Sequence, residues 1–167
     1  KKVWKQAESS GKAETMRKMV QLSKKLKLYN NPGVVRRIFA QLHHSIGNHM
    51  NLFIAGGAAI DPEVIRDYEA MGVPMIQGYG MTENAPIIAV NRDQYSKADS
   101  VGKPMPGTEV KILNPDRDGI GEIICRGPSV MIGYYNDPRA TAEVLKDGWL
   151  HTGDYGRLDK EGFLYVC

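Results

Sequence analysis

The chain has 167 residues, 42% hydrophobic and 25% charged, which suffices to bury a core and points to one domain or two small subdomains. No apolar run approaches the roughly 20 residues that cross a bilayer, and the lysine-rich start lacks the apolar stretch of a secretory signal, so a cytoplasmic setting is expected. The net charge of +3 conceals an asymmetry: residues 1–50 carry eleven Lys or Arg against Glu8 and Glu14, a balance of +9, and the remainder carries −6.

The basic segment 1–50 reads as helical. Met16, Met19, Val20, Ser23 and Leu26 recur at helical spacing and predict a buried stripe, with Lys12, Lys18, Lys24 and Lys25 facing water. Its lysines are not interleaved with base-stacking aromatics, so the segment reads as a solvated helix face rather than a nucleic-acid binder, and peripheral contact with an anionic membrane is the alternative. Asn31-Pro32-Gly33 breaks the chain, after which Val35, Ile38, Phe39, Leu42 and Ile46 predict one further helix ending at Gly47. His43, His44 and His49 show no metal-ligand spacing and are expected on the helix surface or its cap. Cys125 and Cys167 show no disulfide framework and are expected as reduced thiols.

Residues 51–55 predict a short strand, and the small side chains of Gly56, Gly57, Ala58 and Ala59 let a ligand or another backbone approach. Asp61 predicts an N-cap and Pro62 a first helical residue, with Val64, Ile65 and Tyr68 facing inward and Gly72 ending the helix. Residues 73–77 predict a second strand. A strand–helix–strand order implies a parallel crossover, whose ligands sit beyond the carboxyl ends of the strands, where Gly56-Gly57 and the run 78–83 both fall.

Beyond about residue 100, Glu109–Leu113 and Gly121–Arg126 flank a cluster of turn formers and predict a hairpin. A short helix is expected from Asp137-Pro138 to Val144, with strand character resuming at Trp149-Leu150 and over 163–166. The fold class that follows is mixed α/β. The basic helical segment 1–50 flanks a partial βαβ sheet subdomain over 51–98, and a small, distorted, mostly antiparallel β-barrel subdomain covers 99–167.

Two islands about 70 residues apart carry chemistry, QGYGMTEN at 77–84 and GWLHTGD at 148–154. The Tyr79 ring suits a flat heterocycle, the Thr82 hydroxyl a phosphate oxygen, and Glu83 a Mg2+ ion, which favours one or two carboxylates plus phosphate and water. Asp154 suits the two hydroxyls of a ribose. Singly these residues suit a core, a turn cap, a surface charge and an aspartate turn; together they point to a nucleotide site.

These islands, with GGAAID at 56–61, SVGKPMPG at 100–107, GEIICRGPSVMIGYYNDPRATAEVLKDGWLHTGD at 121–154 and GRLDKEGFLY at 156–165, resemble the acyl-adenylate-forming superfamily. The resemblance covers 51–167 and is greatest to long-chain fatty-acid-CoA ligases. It implies that an acid's carboxylate attacks ATP to give acyl-AMP and pyrophosphate, and that coenzyme A then takes the acyl group, with Mg2+ as cofactor and fatty acid, ATP and coenzyme A as the small-molecule partners. By resemblance, Gly57, Ala58 and Ala59 border the adenine, Gln77 and Gly78 share the nucleotide surface, and Tyr79 stacks on the base. Thr82 contacts the α-phosphate and Glu83 binds the metal, so that these two are the catalytic pair. Gly80 and Met81 border the acyl carboxylate, and Asp154 holds the ribose.

The resemblance also predicts a Ser/Thr/Gly-rich phosphate loop upstream of Gly56-Gly57, which residues 1–50 do not contain. A second ribose-contacting arginine and a lysine-bearing C-terminal domain are expected beyond Val166. The chain is therefore expected to be the latter part of a larger N-terminal domain, inactive without the missing N-terminal and C-terminal parts of its parent. Three alternatives remain at this point: a parent that adenylates an aromatic, medium-chain or amino acid, a non-catalytic nucleotide-binding module, and a lipid-surface module led by the basic helices.

Overall fold

The computed structural model describes residues 5, 8, 9, 11–92 and 95–167, so the beginning of the predicted basic segment lies outside the described residues apart from positions 5, 8 and 9. The chain divides into two compact units, one of residues 1–53 and 61–75 and one of residues 54–60 and 76–167.

In the first unit, helix α1 (Ala13–Leu26) buries Val20 and Ser23 and ends where Lys27 turns left-handed at φ 50°. The predicted stripe stops short: Leu26 is 57% exposed because it sits on the terminal turn, beyond the packed face. Lys24, expected to face water, is bound instead by Asp67 at 2.7 Å and Glu63 at 3.0 Å. After a 3-10 turn (Leu28–Asn30) come two short helices, α2 (Pro32–Ile38) and α3 (Ala40–Ser45), where one was expected. The division falls at Phe39, at φ −104° and ψ 32°, yet Phe39 N–H still bonds Val35 O and His43 N–H still bonds Phe39 O, so this is a distortion of a helical path rather than a stop. That continuity explains His43, which is buried rather than on the surface: it lies four residues beyond buried Phe39, on the same face, with Nε2 2.9 Å from Met71 O.

Helix α4 (Pro62–Ala70) starts as its sequence predicts, with the Asp61 carboxylate accepting from Glu63 N–H at 2.8 Å and Pro62 in the first turn. Val20, Val35, Phe39, Leu42, Ala70, Met71 and Val73 form the core, and the Ser23 hydroxyl donates to Ala70 O at 2.6 Å.

The strands form two sheets. In the first, β1 (Phe53–Ala55), β2 (Met75–Gly80), β3 (Ile87–Val90) and β4 (Lys103–Pro104) lie in that order, so that β1 and β2, joined through α4, are neighbours. The second is a curled half-barrel in which β5 (Glu109–Leu113), β6 (Gly121–Arg126), β8 (Trp149–Leu158) and β7 (Leu145–Lys146) follow one another and β9 (Leu164–Val166) pairs with β8. Every pairing within it is antiparallel. Helix α5 (Pro138–Val144) precedes β7, capped by the Asp137 carboxylate at 2.8 Å from Ala140 N. The core of this unit lies in two clusters, Ile88 with Cys125 and Leu150, and Ala89 with Ile123 and Leu164. The mixed α/β class holds, with β3 an addition that the short run at 87–90 did not announce.

Candidate functional site

Every predicted site residue lies in the second unit. The loop at 77–84 begins on β2, which pairs antiparallel with β3 through Gly78↔Val90, Tyr79↔Ala89 and Gly80↔Ile87, with an irregularity between Tyr79 and Gly80. Only glycine fits at position 80, because a Cβ there would run into the Pro86 carbonyl. Thr82–Asn84 forms a 3-10 turn, closed by Ala85 in the left-handed region at φ 46°. Asn84 pins it from beneath: its side chain is fully buried and Nδ2 donates to Ile87 O at 3.0 Å.

Gln77 is also a support. Its side chain is buried with Nε2 donating to Ala98 O at 2.9 Å, and its backbone carbonyl accepts from Asn91 N–H at 3.1 Å. Gly78 lies next to the other glycine turn, since a Cβ built on Gly56 would stand 3.6 Å from Gly78 O. Gly57, Ala58 and Ala59 are exposed beside it, with Gly57 at φ 82°.

Tyr79 joins the two islands. Its half-buried ring packs against both core clusters, and its hydroxyl donates to Asp154 Oδ2 at 2.7 Å, across 75 residues of sequence. Burial, reinforced by the hydrogen bond and charge of Asp154 against an opposing contact with Thr152, pushes the phenol well above its ordinary range, so it stays a proton donor at neutral pH. Part of the ring that was expected to stack on a ligand is thus core; the hydroxyl's partner is the carboxylate expected at the ribose.

Asp154 is lifted from β8 by a bulge. Pairing runs from Glu122↔Tyr155 to Ile124↔His151, so three residues of β8 face one residue of β6. Glu122 holds the bulge with both oxygens, Oε1 accepting from Gly153 N–H at 3.2 Å and Oε2 3.0 Å from His151 Nδ1. The Thr152 hydroxyl donates to Ile123 O at 2.7 Å and accepts from Asp154 N–H at 3.1 Å. Sequence reasoning did not single out Glu122 or Thr152. Thr152 carries a local signal, two residues before an exposed aspartate and beside a glycine; Glu122 carries none, because only strand register brings it to Gly153.

Glu83 is held from one loop. Its Oε1 accepts from the Tyr134 hydroxyl at 2.7 Å and its backbone carbonyl from Met131 N–H at 2.8 Å. Thr82 is exposed, and its hydroxyl has no partner among the described residues. Met81 packs against the Ile88, Cys125 and Leu150 cluster, and Gly80 is exposed. Burial pushes the Cys125 thiol up to about 11, which makes it a core group and no nucleophile.

The arrangement offers small exposed residues, an aromatic ring edged by a carboxylate and, with respect to the described residues, a free hydroxyl and a second carboxylate with one oxygen unclaimed. No group of three His, Cys, Asp or Glu is gathered as a metal cage among the described residues. A Mg2+ ion fits all the same, because it takes a single carboxylate oxygen together with phosphate oxygens and water, and Glu83 Oε2 is available for that.

Residues 8–135 match the family described as AMP-binding enzyme. The chain belongs to the AMP-binding enzyme family. The long-chain-fatty-acid-CoA ligase of Salmonella typhimurium is 38% identical to this AMP-binding enzyme chain over an alignment of 146 residues that covers 83% of the chain and 25% of the ligase. The indoleacetate-CoA ligase of Aromatoleum aromaticum is 45% identical over 121 residues, 68% of the chain and 24% of that enzyme. A solved anthranilate CoA ligase in complex with anthranoyl-AMP superposes with a TM-score of 0.62 at 28% identity, covering 70% of the chain and 24% of that structure. The chain spans about a quarter of the length of the curated relatives it matches. The family match includes Gly57, Tyr79, Thr82 and Glu83 and ends before Asp154, so it is the Tyr79 hydroxyl that ties Asp154 to the rest.

Proposed function

We propose that this AMP-binding enzyme chain supplies the adenine, ribose and metal side of an ATP-dependent acyl-CoA synthetase acting on long-chain fatty acids. The observation that carries the reading is the 2.7 Å contact between Tyr79 and Asp154, which unites two distant islands, one of which carries a Thr82 hydroxyl without a partner among the described residues. The relatives named as CoA ligases, and the anthranoyl-AMP held by a structural relative, support the same chemistry.

In this reading a carboxylate oxygen of the acid attacks the α-phosphorus of ATP, the bond to the β-phosphate breaks and pyrophosphate leaves. The thiolate of coenzyme A then attacks the acyl carbonyl and AMP departs. Gly57, Ala58 and Ala59 border the adenine with the exposed part of the Tyr79 ring, and Asp154 accepts from the ribose hydroxyls while Tyr79 fixes its other oxygen. Thr82 donates to the α-phosphate, and Gly80 and Met81 border the acid's carboxylate. Glu83 would hold Mg2+, which when bound neutralises charge on the phosphates. The residues act by alignment and by stabilising charge as it grows at phosphorus. A second reading, an aromatic acid as substrate, is favoured by the higher identity to the indoleacetate-CoA ligase.

The test is acid-dependent exchange of pyrophosphate into ATP by the full-length protein from the natural reading frame, across saturated fatty acids of increasing length and indoleacetate. Exchange rising with chain length is expected. Fastest exchange with indoleacetate transfers the assignment to the aromatic reading, and no exchange with any acid overturns both.

A further inference from the structure

Tyr134 lies within the quoted stretch 121–154 but was given no role there; it stands on the run of residues 127–137 that leads into α5. Two groups of that run reach Glu83, the Met131 N–H at its carbonyl (2.8 Å) and the Tyr134 hydroxyl at its Oε1 (2.7 Å). The run is itself built for the purpose. Val130 packs against the Ile88, Cys125 and Leu150 cluster, and Tyr134 N–H donates to the Thr141 hydroxyl at 2.9 Å. Thr141 in turn donates to Asp137 O at 2.8 Å, which fastens Tyr134 to the first turn of α5. Gly133, at φ 151°, makes the close passage beside Thr141 feasible, since a Cβ there would stand 2.9 Å from the threonine side chain.

A free glutamate carboxylate rotates about three side-chain bonds and offers either oxygen; one whose Oε1 is engaged by a fixed phenol offers a single oxygen in a single orientation. A carboxylate that ligates a metal is characteristically oriented by such a partner. We propose that Tyr134 is the positioning residue of Glu83, holding Oε1 so that Oε2 is presented to the divalent cation that accompanies ATP. This rests on Glu83 being the metal-binding carboxylate of the reading above. Tyr134 touches neither the nucleotide nor the reacting atoms in this role; it acts through Glu83 alone.

The test uses Mn2+ as the probe in the full-length protein, with free Mn2+ measured by electron paramagnetic resonance as the metal is titrated into protein saturated with ATP. Y134F keeps the ring and removes only the hydroxyl. It is expected to weaken Mn2+ binding by about tenfold, in line with the effect of removing an outer-sphere partner, while leaving ATP affinity measured without metal at the wild-type value. E83Q is expected to weaken Mn2+ binding more, and adding Y134F to E83Q is expected to change nothing further. Wild-type Mn2+ affinity in Y134F beside a loss in E83Q overturns the role of Tyr134 and leaves the reading of Glu83 intact. A Y134F loss that persists undiminished in the E83Q background also overturns it, since the effect then does not pass through Glu83. If E83Q itself binds Mn2+ as the wild type does, the reading beneath the proposal falls, and the proposal with it.

Discussion

The two units bury polar side chains to different ends. In the helical unit Ser23 and His43 are buried and each bonds a backbone carbonyl near the end of α4, Ala70 O and Met71 O, so polarity there fastens helix to helix. His43 Nδ1 is left without a hydrogen-bond partner among the described residues. In the sheet unit Gln77, Asn84 and Asn91 are buried, and their amides reach Ala98, Ile87, and Ser100 and Lys97. Gln77 and Asn84 flank or lie within the loop that carries Tyr79, Thr82 and Glu83. A buried amide that satisfies a loop carbonyl fixes the loop's shape, and the exposed side chains inherit that precision. The contrast teaches that the positioning of this site is organised from underneath, by buried amides bonded to backbone carbonyls.

Leu150→Ala gives the largest expected change: it empties a fully buried position at the centre of the first sheet-unit cluster and should lower stability by about 3 kcal/mol. Urea unfolding followed through Trp149 fluorescence measures it. Asn84→Ala and Ser23→Ala then test the comparison directly. The first leaves Ile87 O without its partner beneath the loop and should cost about 2 kcal/mol together with nucleotide binding; the second should cost about 1 kcal/mol and leave nucleotide binding as it was. Calorimetric ATP titration of the full-length proteins decides the point, and equal damage to binding from both variants breaks the distinction. Tyr79→Phe removes only the hydroxyl that steadies Asp154, so ATP should bind about five- to tenfold more weakly with little change in unfolding midpoint.

The smallest effect concerns pH. Asp159 is held well below the usual carboxylate range by the Lys97 ammonium and by Phe163 and Glu161 N–H groups, and Lys97 is raised by Asp159 and Glu161. A depressed carboxylate stabilises the folded chain fully above the unfolded value of about 3.9 and ceases to do so as pH falls through the folded value; a raised lysine stabilises below about 10.4 and ceases to do so as pH rises through its folded value. The difference in stability between wild type and Lys97→Met should therefore be flat from about pH 5 to pH 9 and shrink in stronger acid, as read from denaturation at a series of pH values. A difference that changes across neutral pH would show that other groups govern this connection.

Much of the fold was legible because its signals are local. Asp61-Pro62 and Asp137-Pro138 start their helices through a carboxylate and a fixed φ that need no tertiary partner. The hairpin of Glu109–Leu113 and Gly121–Arg126 follows from alternation around a turn held by Asp116, whose carboxylate accepts from two backbone N–H groups. Leu26 and His43 were misread because periodicity tells which residues share a face but not where the facing partner ends. Strand β3 was missed because its four residues, Ile87–Val90, are apolar throughout and carry no alternation to distinguish them from any apolar run.

The candidate site divides along the same line. Residue types and spacing were enough to single out Tyr79, Thr82, Glu83 and Asp154, since each carries its chemistry in its own side chain. Tertiary structure alone decided what each is tied to: Asp154 to the Tyr79 hydroxyl, Glu83 to Tyr134, and the bulge beneath Asp154 to Glu122. Those ties depend on strand register and on loops meeting across dozens of residues, and a hydrogen bond made at 2.7 Å leaves no mark in the sequence between its two ends.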